Sequence, residues 1–283
     1  MTLQFVNQTA TIACADPILH ARLSTLLRHC QAGGRREASA QDADRFEIRP
    51  DGASTWLLAR NESIVGRGLS ANDAVQRMVY EVTVALATGC RELLVIHGAG
   101  ASRDGRGILL CGASGCGKST LVARLLMADF DFLSDEVIAV APDGGTMTGF
   151  PRAIALKDAA GIGALQLASA SAPARSLGEC LSLDPEWIRP GSVRHQATPR
   201  ALLFPRYQEG LPVASRRLSR AEAVYQLMHR LVNGAQLPDR GLAAASQLAR
   251  ALPAYSLTYP DGLDALPTLE RLAEGRERAP VLE

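Results

Sequence analysis

Apolar positions along the chain change period several times, and each change marks an element. Asp16-Pro17 reads as an N-cap followed by a first helical residue, and Leu19, Leu23, Leu26 and Leu27 then share one face, predicting a helix near 17–30. The Gly33-Gly34-Arg35-Arg36 stretch and its polar neighbours to Asp44 read as a loop. Phe46-Glu47-Ile48 and the run from Ser54 to Ala59 flank a Pro50-Asp51-Gly52 turn, a hairpin signal, and Ile64-Val65 predicts a further strand. From Asn72, helical spacing returns with Val75, Met78, Val79, Val82 and Leu86, and stops at Gly89.

In the second part of the chain strands dominate. Leu93 to Ile96 and Gly107 to Leu110 are strand-like runs on either side of Arg103-Asp104-Gly105-Arg106, a turn that predicts antiparallel pairing. Leu121, Leu125 and Leu126 mark a helix; Phe130 to Leu133 and Val137 to Val140 form a strand interrupted by Ser134-Asp135-Glu136; a turn at Pro142 to Gly145 leads to a strand-like stretch from Phe150 to Lys157. Between Asp158 and Arg200 the composition shifts to Ala, Ser and Gly, with basic groups at Arg189, Arg194, His195 and Arg200, and reads either as a mobile, substrate-facing insertion or as an inert surface loop. After the strand-like Ala201 to Phe204, Ser219 and Glu222 form a capping box for a helix carrying Val224, Leu227, Met228 and Leu231, closed by Gly234. Another helix starts near Asp239, Tyr255 to Tyr259 reads as a strand, and 263–274 as a last helix containing Pro267. The pattern predicts an α+β portion over residues 1–90, with no chemical signature, and a larger α/β unit over 91–283. No internal repeat is visible.

Composition narrows the classes. With 283 residues and 47% hydrophobic content there is ample material for a core, and a net charge of +1 offers no field to hold nucleic acid or anionic lipid. No apolar run approaches the roughly 18 residues a bilayer span requires. The Met-Thr-Leu-Gln-Phe-Val-Asn start lacks a basic leader, so a cytoplasmic protein with no nucleic-acid or membrane partner is expected. The six cysteines lack CxxC spacing, which fits reduced, mostly buried thiols rather than a metal site.

The chemistry begins at residue 112. Gly112, Ala113, Ser114, Gly115, Cys116, Gly117, Lys118 and Ser119 complete the pattern G-x-x-x-x-G-K-[ST] between an apolar strand and an amphipathic helix. The glycines let successive N–H groups turn inward on phosphate oxygens, Lys118 reaches the terminal phosphates, Ser119 can hold Mg²⁺, and the start of the following helix adds its positive dipole end. These residues, with Thr120, are the expected nucleotide-binding set. Cys116 lies beside Lys118, where a cation favours the thiolate, although a filler role is the plainer reading.

Two further features refine the class. Adjacent carboxylates set in an apolar run are costly unless a metal or hydrogen bonds compensate, so Asp135-Glu136 close behind the loop point to Mg²⁺ or proton-transfer work. Strand alternation would put them on opposite faces, with only one toward the nucleotide. His97-Gly98, at the end of the Leu93–Ile96 run, stands one strand from the loop, within reach of an orienting contact to Asp135.

Together His97-Gly98, the hairpin, Gly112 to Ser119, the helix, Ser134-Asp135-Glu136, Pro151-Arg152 and Leu156-Lys157 resemble the HPr kinase/phosphorylase family and its wider set of HPr-kinase-like proteins. The segment Phe204-Pro205-Arg206-Tyr207 and the helical tail look similar too. The resemblance implies the P-loop kinase core shared with phosphoenolpyruvate carboxykinase, built on a mixed, largely antiparallel sheet. It also implies ATP and Mg²⁺ dependence, with Asp135 as general base, His97 orienting it, Lys118 on the phosphates, and Glu136 with Ser119 on the metal side. The chain departs from the HPr-specific enzymes in carrying glutamate at the second acidic position. It also lacks their glycine-rich signature for dephosphorylation and does not match their N-terminal domain.

The expected activity is therefore transfer of the γ-phosphoryl group of ATP to a hydroxyl. The acceptor is a serine of a peptide or protein, whether an HPr-like protein or a natural-product precursor peptide, with a small hydroxylated metabolite as the alternative. A nucleotide-gated binding protein is the competing class, disfavoured because a sensor needs the loop but no base. A transport ATPase is disfavoured by the lack of an LSGGQ-like segment. The HPr-specific enzymes are hexamers through surfaces this sequence does not match, which leaves homo-oligomerisation open.

Overall fold

The computed structural model describes residues 1–32, 43–156, 175–177 and 180–275. The stretch 158–174 of the Ala/Ser/Gly-rich segment, and Lys157 before it, lie outside the described residues.

The N-terminal part is a five-stranded sheet in the order β1 (Thr2–Phe5), β2 (Gln8–Cys14), β3 (Asp44–Pro50), β4 (Trp56–Arg60), β5 (Ser63–Leu69). Only β2 and β3 are parallel, joined through α1 (Pro17–Leu26), whose start is capped by Asp16 as the sequence predicts. A short 3₁₀ turn at Arg28–Cys30 completes the expected helical stretch. The hairpin around Asp51 and the strand at Ile64 are present, whereas the β1–β2 hairpin was not foreseen. Helix α2 (Ala71–Gly89), capped by Ser70, lays Val75, Met78, Val82 and Leu86 on this sheet. Each such fully buried side chain contributes about 1.5–3 kcal/mol by removal from water. The same cluster includes Val95, Val137 and Phe150, so the N-terminal sheet and α2 pack directly against the part of the chain that follows.

That following part begins with β6 (Leu94–Arg103) and β7 (Arg106–Cys111), an antiparallel hairpin whose Asp104-Gly105 turn takes positive φ at both residues. The hairpin matches the expectation, but β6 runs seven residues beyond Ile96, so His97 lies inside the strand rather than at its end. Small residues made this stretch hard to read: a β-carbon on Gly100 would stand 2.8 Å from Ile138 Cδ1. Helix α3 (Lys118–Met127) follows the loop, then β8 (Asp131–Ser134), β9 (Val137–Val140) and β10 (Met147–Gly149). The stretch from Phe150 is not one strand; only β11 (Ile154–Leu156) is, pairing with β13 (Cys180–Leu183) beside β12 (Arg175–Leu177). After α4 (Pro185–Ile188) comes the long β14 (Gln196–Tyr207), then β15 (Ala214–Arg217), α5 (Arg220–Met228), α6 (Leu242–Ala251), β16 (Ala254–Tyr259) and α7 (Gly262–Ala273). The capping box of Ser219 and Glu222 opens α5, which ends at Met228, short of Gly234.

The central sheet runs β10-β9-β6-β7-β14-β16-β15, with β8 also on β6 and β10 also on β14. It is mixed: β7–β14 and β14–β16 are parallel and the other pairings antiparallel. Alternation along β7 sends Ile108 and Leu110 toward α3 and α7 on one face, and Leu109 and Cys111 toward α5 and α6 on the other. Among the described residues, no helix is long and apolar enough to cross a membrane.

Candidate functional site

The end of β7 and the start of α3 set the loop. Gly115 and Gly117 adopt φ of 84° and 91°, and a β-carbon on Gly112 would overlap Cys116 Sγ, so each glycine is required by backbone or by packing. Lys118 is 6% exposed and folds back on the loop: Nζ donates to Gly112 O at 2.8 Å and to Ala113 O at 3.0 Å, and lies 3.3 Å from His97 Nε2. Burial lowers its pKa, opposed by the charges of Cys116, Glu136 and Asp135. On its other side His97 Nδ1 lies 3.5 Å from Glu136 Oε1, so the ring sits between the ammonium and the carboxylate.

Asp135 and Glu136 do not continue a strand. Ser134 Oγ accepts from Glu136 N and Val137 N, both at 3.3 Å, and donates to Phe150 O, which folds the two acids into the turn between β8 and β9. Strand alternation therefore does not apply, and both carboxylates reach one cleft. Asp135 is 2% exposed; its Oδ2 accepts from Ser119 Oγ at 3.2 Å and from Ala155 N at 2.9 Å. Its Oδ1 is buried without a hydrogen bond among the described residues, 3.7 Å from Arg152 Nε. Burial raises the Asp135 pKa, opposed by Arg152 and the Ala155 N–H. Glu136 is the opposite case: its hydrogen bond with His97 and the charges of Arg152, His97 and Lys118 outweigh burial and bring it to about 2. Arg152 Nη2 donates to Glu136 Oε2 at 2.7 Å, so one guanidinium serves both acids.

The cleft measures about 410 Å³, and its lining brings together His97, Ser114, Gly115, Gly117, Lys118, Ser119, Thr120, Asp135 and Glu136. Gly112, Ala113 and Cys116 form the loop behind it, offering carbonyls to Lys118 and Tyr259. The orienting contact expected between His97 and Asp135 is replaced by contacts of His97 with Glu136 and Lys118, and the carboxylate beside Ser119 is that of Asp135. Arg189 and Arg194 pair with Asp131 rather than lining the cleft. Arg152, Arg124, Tyr207, Tyr259 and Asp261 escaped notice as site residues; a charged side chain inside the apolar run from Phe150 to Leu156 was the available signal for Arg152.

The donor set suits Mg²⁺. Among the described residues no three His, Cys, Asp or Glu side chains converge to enclose a metal. Magnesium typically takes one or two protein oxygens and completes its shell with phosphates and water. The Ser119 hydroxyl and the ionised Glu136 carboxylate, both on the cleft wall, are hard donors of that kind.

No family model and no curated protein sequence matches the chain. Among solved structures, the HPr(Ser) kinase/phosphatase from Coxiella burnetii is similar at 13% identity, over 62% of this chain and 93% of that one, with a TM-score of 0.34. The likeness is distant, and the site's geometry stands without it.

Proposed function

We propose that the protein is an ATP- and Mg²⁺-dependent phosphotransferase that moves the γ-phosphoryl group to a hydroxyl. The observation that carries this reading is the meeting of Ser119 and Asp135 at 3.2 Å in the cleft that Lys118 also lines. It joins a phosphate-binding element to a buried carboxylate of raised proton affinity, and a binding protein has no use for the second.

The loop N–H groups and the start of α3 receive the phosphates, and Lys118 turns from its own loop carbonyls to the terminal phosphate. Ser119 and Glu136 would hold Mg²⁺, which supplies charge neutralisation on the phosphate oxygens when bound. Asp135 aligns the acceptor hydroxyl and takes its proton as the oxygen bonds to the γ-phosphorus; the bond to the β,γ-bridging oxygen breaks and ADP leaves with that electron pair. His97 positions Glu136 and Lys118 rather than touching the acceptor. Most of the rate enhancement comes from positioning and electrostatics. A serine of a peptide or protein is the favoured acceptor, on the motif resemblance, with a small hydroxylated metabolite as the alternative.

The test is label transfer from γ-labelled ATP with Mg²⁺ into a fractionated extract of the source cells, comparing the parent with Asp135→Asn and Lys118→Ala. Label in a peptide, protein or metabolite with the parent is expected. Asp135→Asn should transfer about 10²–10⁴-fold more slowly with ATP binding retained, and Lys118→Ala should lose both. Label that appears only as orthophosphate, or equal transfer by Asp135→Asn, sinks the assignment.

A further inference from the structure

The phosphate chain of a nucleotide has a direction. If the terminal phosphate meets Lys118, Ser119 and Asp135, the nucleoside leaves the loop the other way, toward the part of the cleft lined by Thr120, Arg124, Tyr207, Tyr259 and Asp261. That end is built. Tyr259 donates its hydroxyl to Cys116 O at 3.3 Å and supports Tyr207 edge-on, with centroids 6.1 Å apart and planes at 71°. Tyr207 remains 51% exposed, so a braced aromatic face stands open beside Gly117. Arg124, on α3, is 4% exposed, lines the cleft, and among the described residues has no hydrogen-bond partner on Nε.

The start of α7 closes the far wall. Gly262 permits this approach, since a β-carbon there would stand 2.8 Å from Arg124 Cγ. Asp261 caps α7 through Oδ1, which accepts from Leu263 N at 2.7 Å, while Oδ2 faces Arg124 Nη2 at 3.9 Å. One carboxylate oxygen is thus held in place by the cap and the other is left toward the cleft.

We propose that this end of the cleft is a nucleoside subsite: the base stacks on Tyr207, the ribose hydroxyls donate to Asp261 Oδ2, and Arg124 is a positioning residue that holds Asp261. The assignment rests on the phosphate-loop reading above and extends it. Stacking is tolerant of base identity because every base presents a π-face, so purine nucleotides other than ATP should also bind.

Calorimetric titration of the full chain with ATP and with inorganic tripolyphosphate, both with Mg²⁺, separates the two halves of the ligand. The parent should bind ATP about tenfold or more tightly than tripolyphosphate. Tyr207→Ala should remove most of that gap, Tyr207→Phe should keep it, and both should bind tripolyphosphate as the parent does. Asp261→Asn, which retains the cap, should bind ATP and 2′,3′-dideoxy-ATP alike, whereas the parent prefers ATP. Unchanged ATP affinity in Tyr207→Ala, or equal loss of ATP and tripolyphosphate, overturns the subsite. Lys118→Ala, run alongside, should weaken both ligands; if it weakens neither, the phosphate-loop reading fails as well.

Discussion

Tyr259 occupies the space that a β-carbon on Gly117 would need, and its hydroxyl donates to the carbonyl of Cys116 in the same loop. Gly117 is thus constrained twice, by φ of 91° and by the ring, whereas Gly115, at φ 84°, has none of the described residues within 4 Å of its would-be β-carbon. Gly115→Ala should therefore show the backbone cost alone, about 1–2 kcal/mol. Gly117→Ala should add an overpacking cost of about 1–3 kcal/mol and displace Tyr259. Denaturant unfolding of Gly117→Ala and of Gly117→Ala/Tyr259→Phe decides the matter: removing the hydroxyl should recover the second cost, and equal stabilities would contradict it.

Ser119 stands at the junction of loop and acid, and its loss should be felt through the metal rather than the fold. Asp135 Oδ2 keeps its bond from Ala155 N at 2.9 Å, so unfolding of Ser119→Ala should differ from the parent by no more than about 1 kcal/mol. In ATP titrations, the gain in affinity on adding Mg²⁺ should be large for the parent and nearly absent in Ser119→Ala. A full Mg²⁺ effect in the variant would remove Ser119 from the metal site.

Where the signals were local, the sequence was readable. Helix α2 follows from its 3.6-residue period, α5 from the Ser219–Glu222 capping box, and the β6–β7 hairpin from Asp104-Gly105. The β1–β2 hairpin turns at Val6, φ 55°, a β-branched residue where a glycine or asparagine would have announced the turn. The motif from Gly112 to Ser119 is contiguous, so it could be read directly from the sequence. Arg152 and Tyr259 are different: Arg152 reaches the acids only because the chain returns after β10, and Tyr259 reaches the loop only because β16 lies parallel to β14 beside β7. Such roles come from sheet order, which no local pattern records. The turn at Ser134 likewise defeated the alternation argument for Asp135 and Glu136.

Glu136 makes stability depend on acidity in a defined window. Its pKa, ordinarily 4.5, is depressed to about 2, because the hydrogen bond with His97 and the charges of Arg152, His97 and Lys118 outweigh burial. A depressed acid contributes stability that is complete above its unfolded value and is lost as pH falls through its folded value. The melting-temperature difference between the parent and Glu136→Gln should thus be full above pH 4.5 and shrink toward pH 2. A difference that is flat across that window would show that Glu136 acts by shape and not by charge.

Arg152 is shared between two carboxylates, those of Asp135 and Glu136. Its side chain is 16% exposed, donates to Glu136 Oε2 at 2.7 Å and lies 3.7 Å from Asp135 Oδ1, which has no hydrogen bond among the described residues. Removing one partner of a buried charge pair costs about 3–5 kcal/mol, because the other is left uncompensated. Arg152→Ala should destabilise on that scale, and Arg152→Lys should recover only part, since a single ammonium cannot span two carboxylates as a planar guanidinium does. The loss should diminish in acid. Asp135 is already raised by burial, and without Arg152, which lowers it, the raised value climbs further; a raised acid favours the folded state once protonated, so falling pH relieves the buried charge. Adding Asp135→Asn to Arg152→Ala removes the charge outright. Denaturant unfolding should therefore find the double variant more stable than Arg152→Ala alone, and a double variant weaker by the sum of both single losses would mean that packing, not charge compensation, explains Arg152.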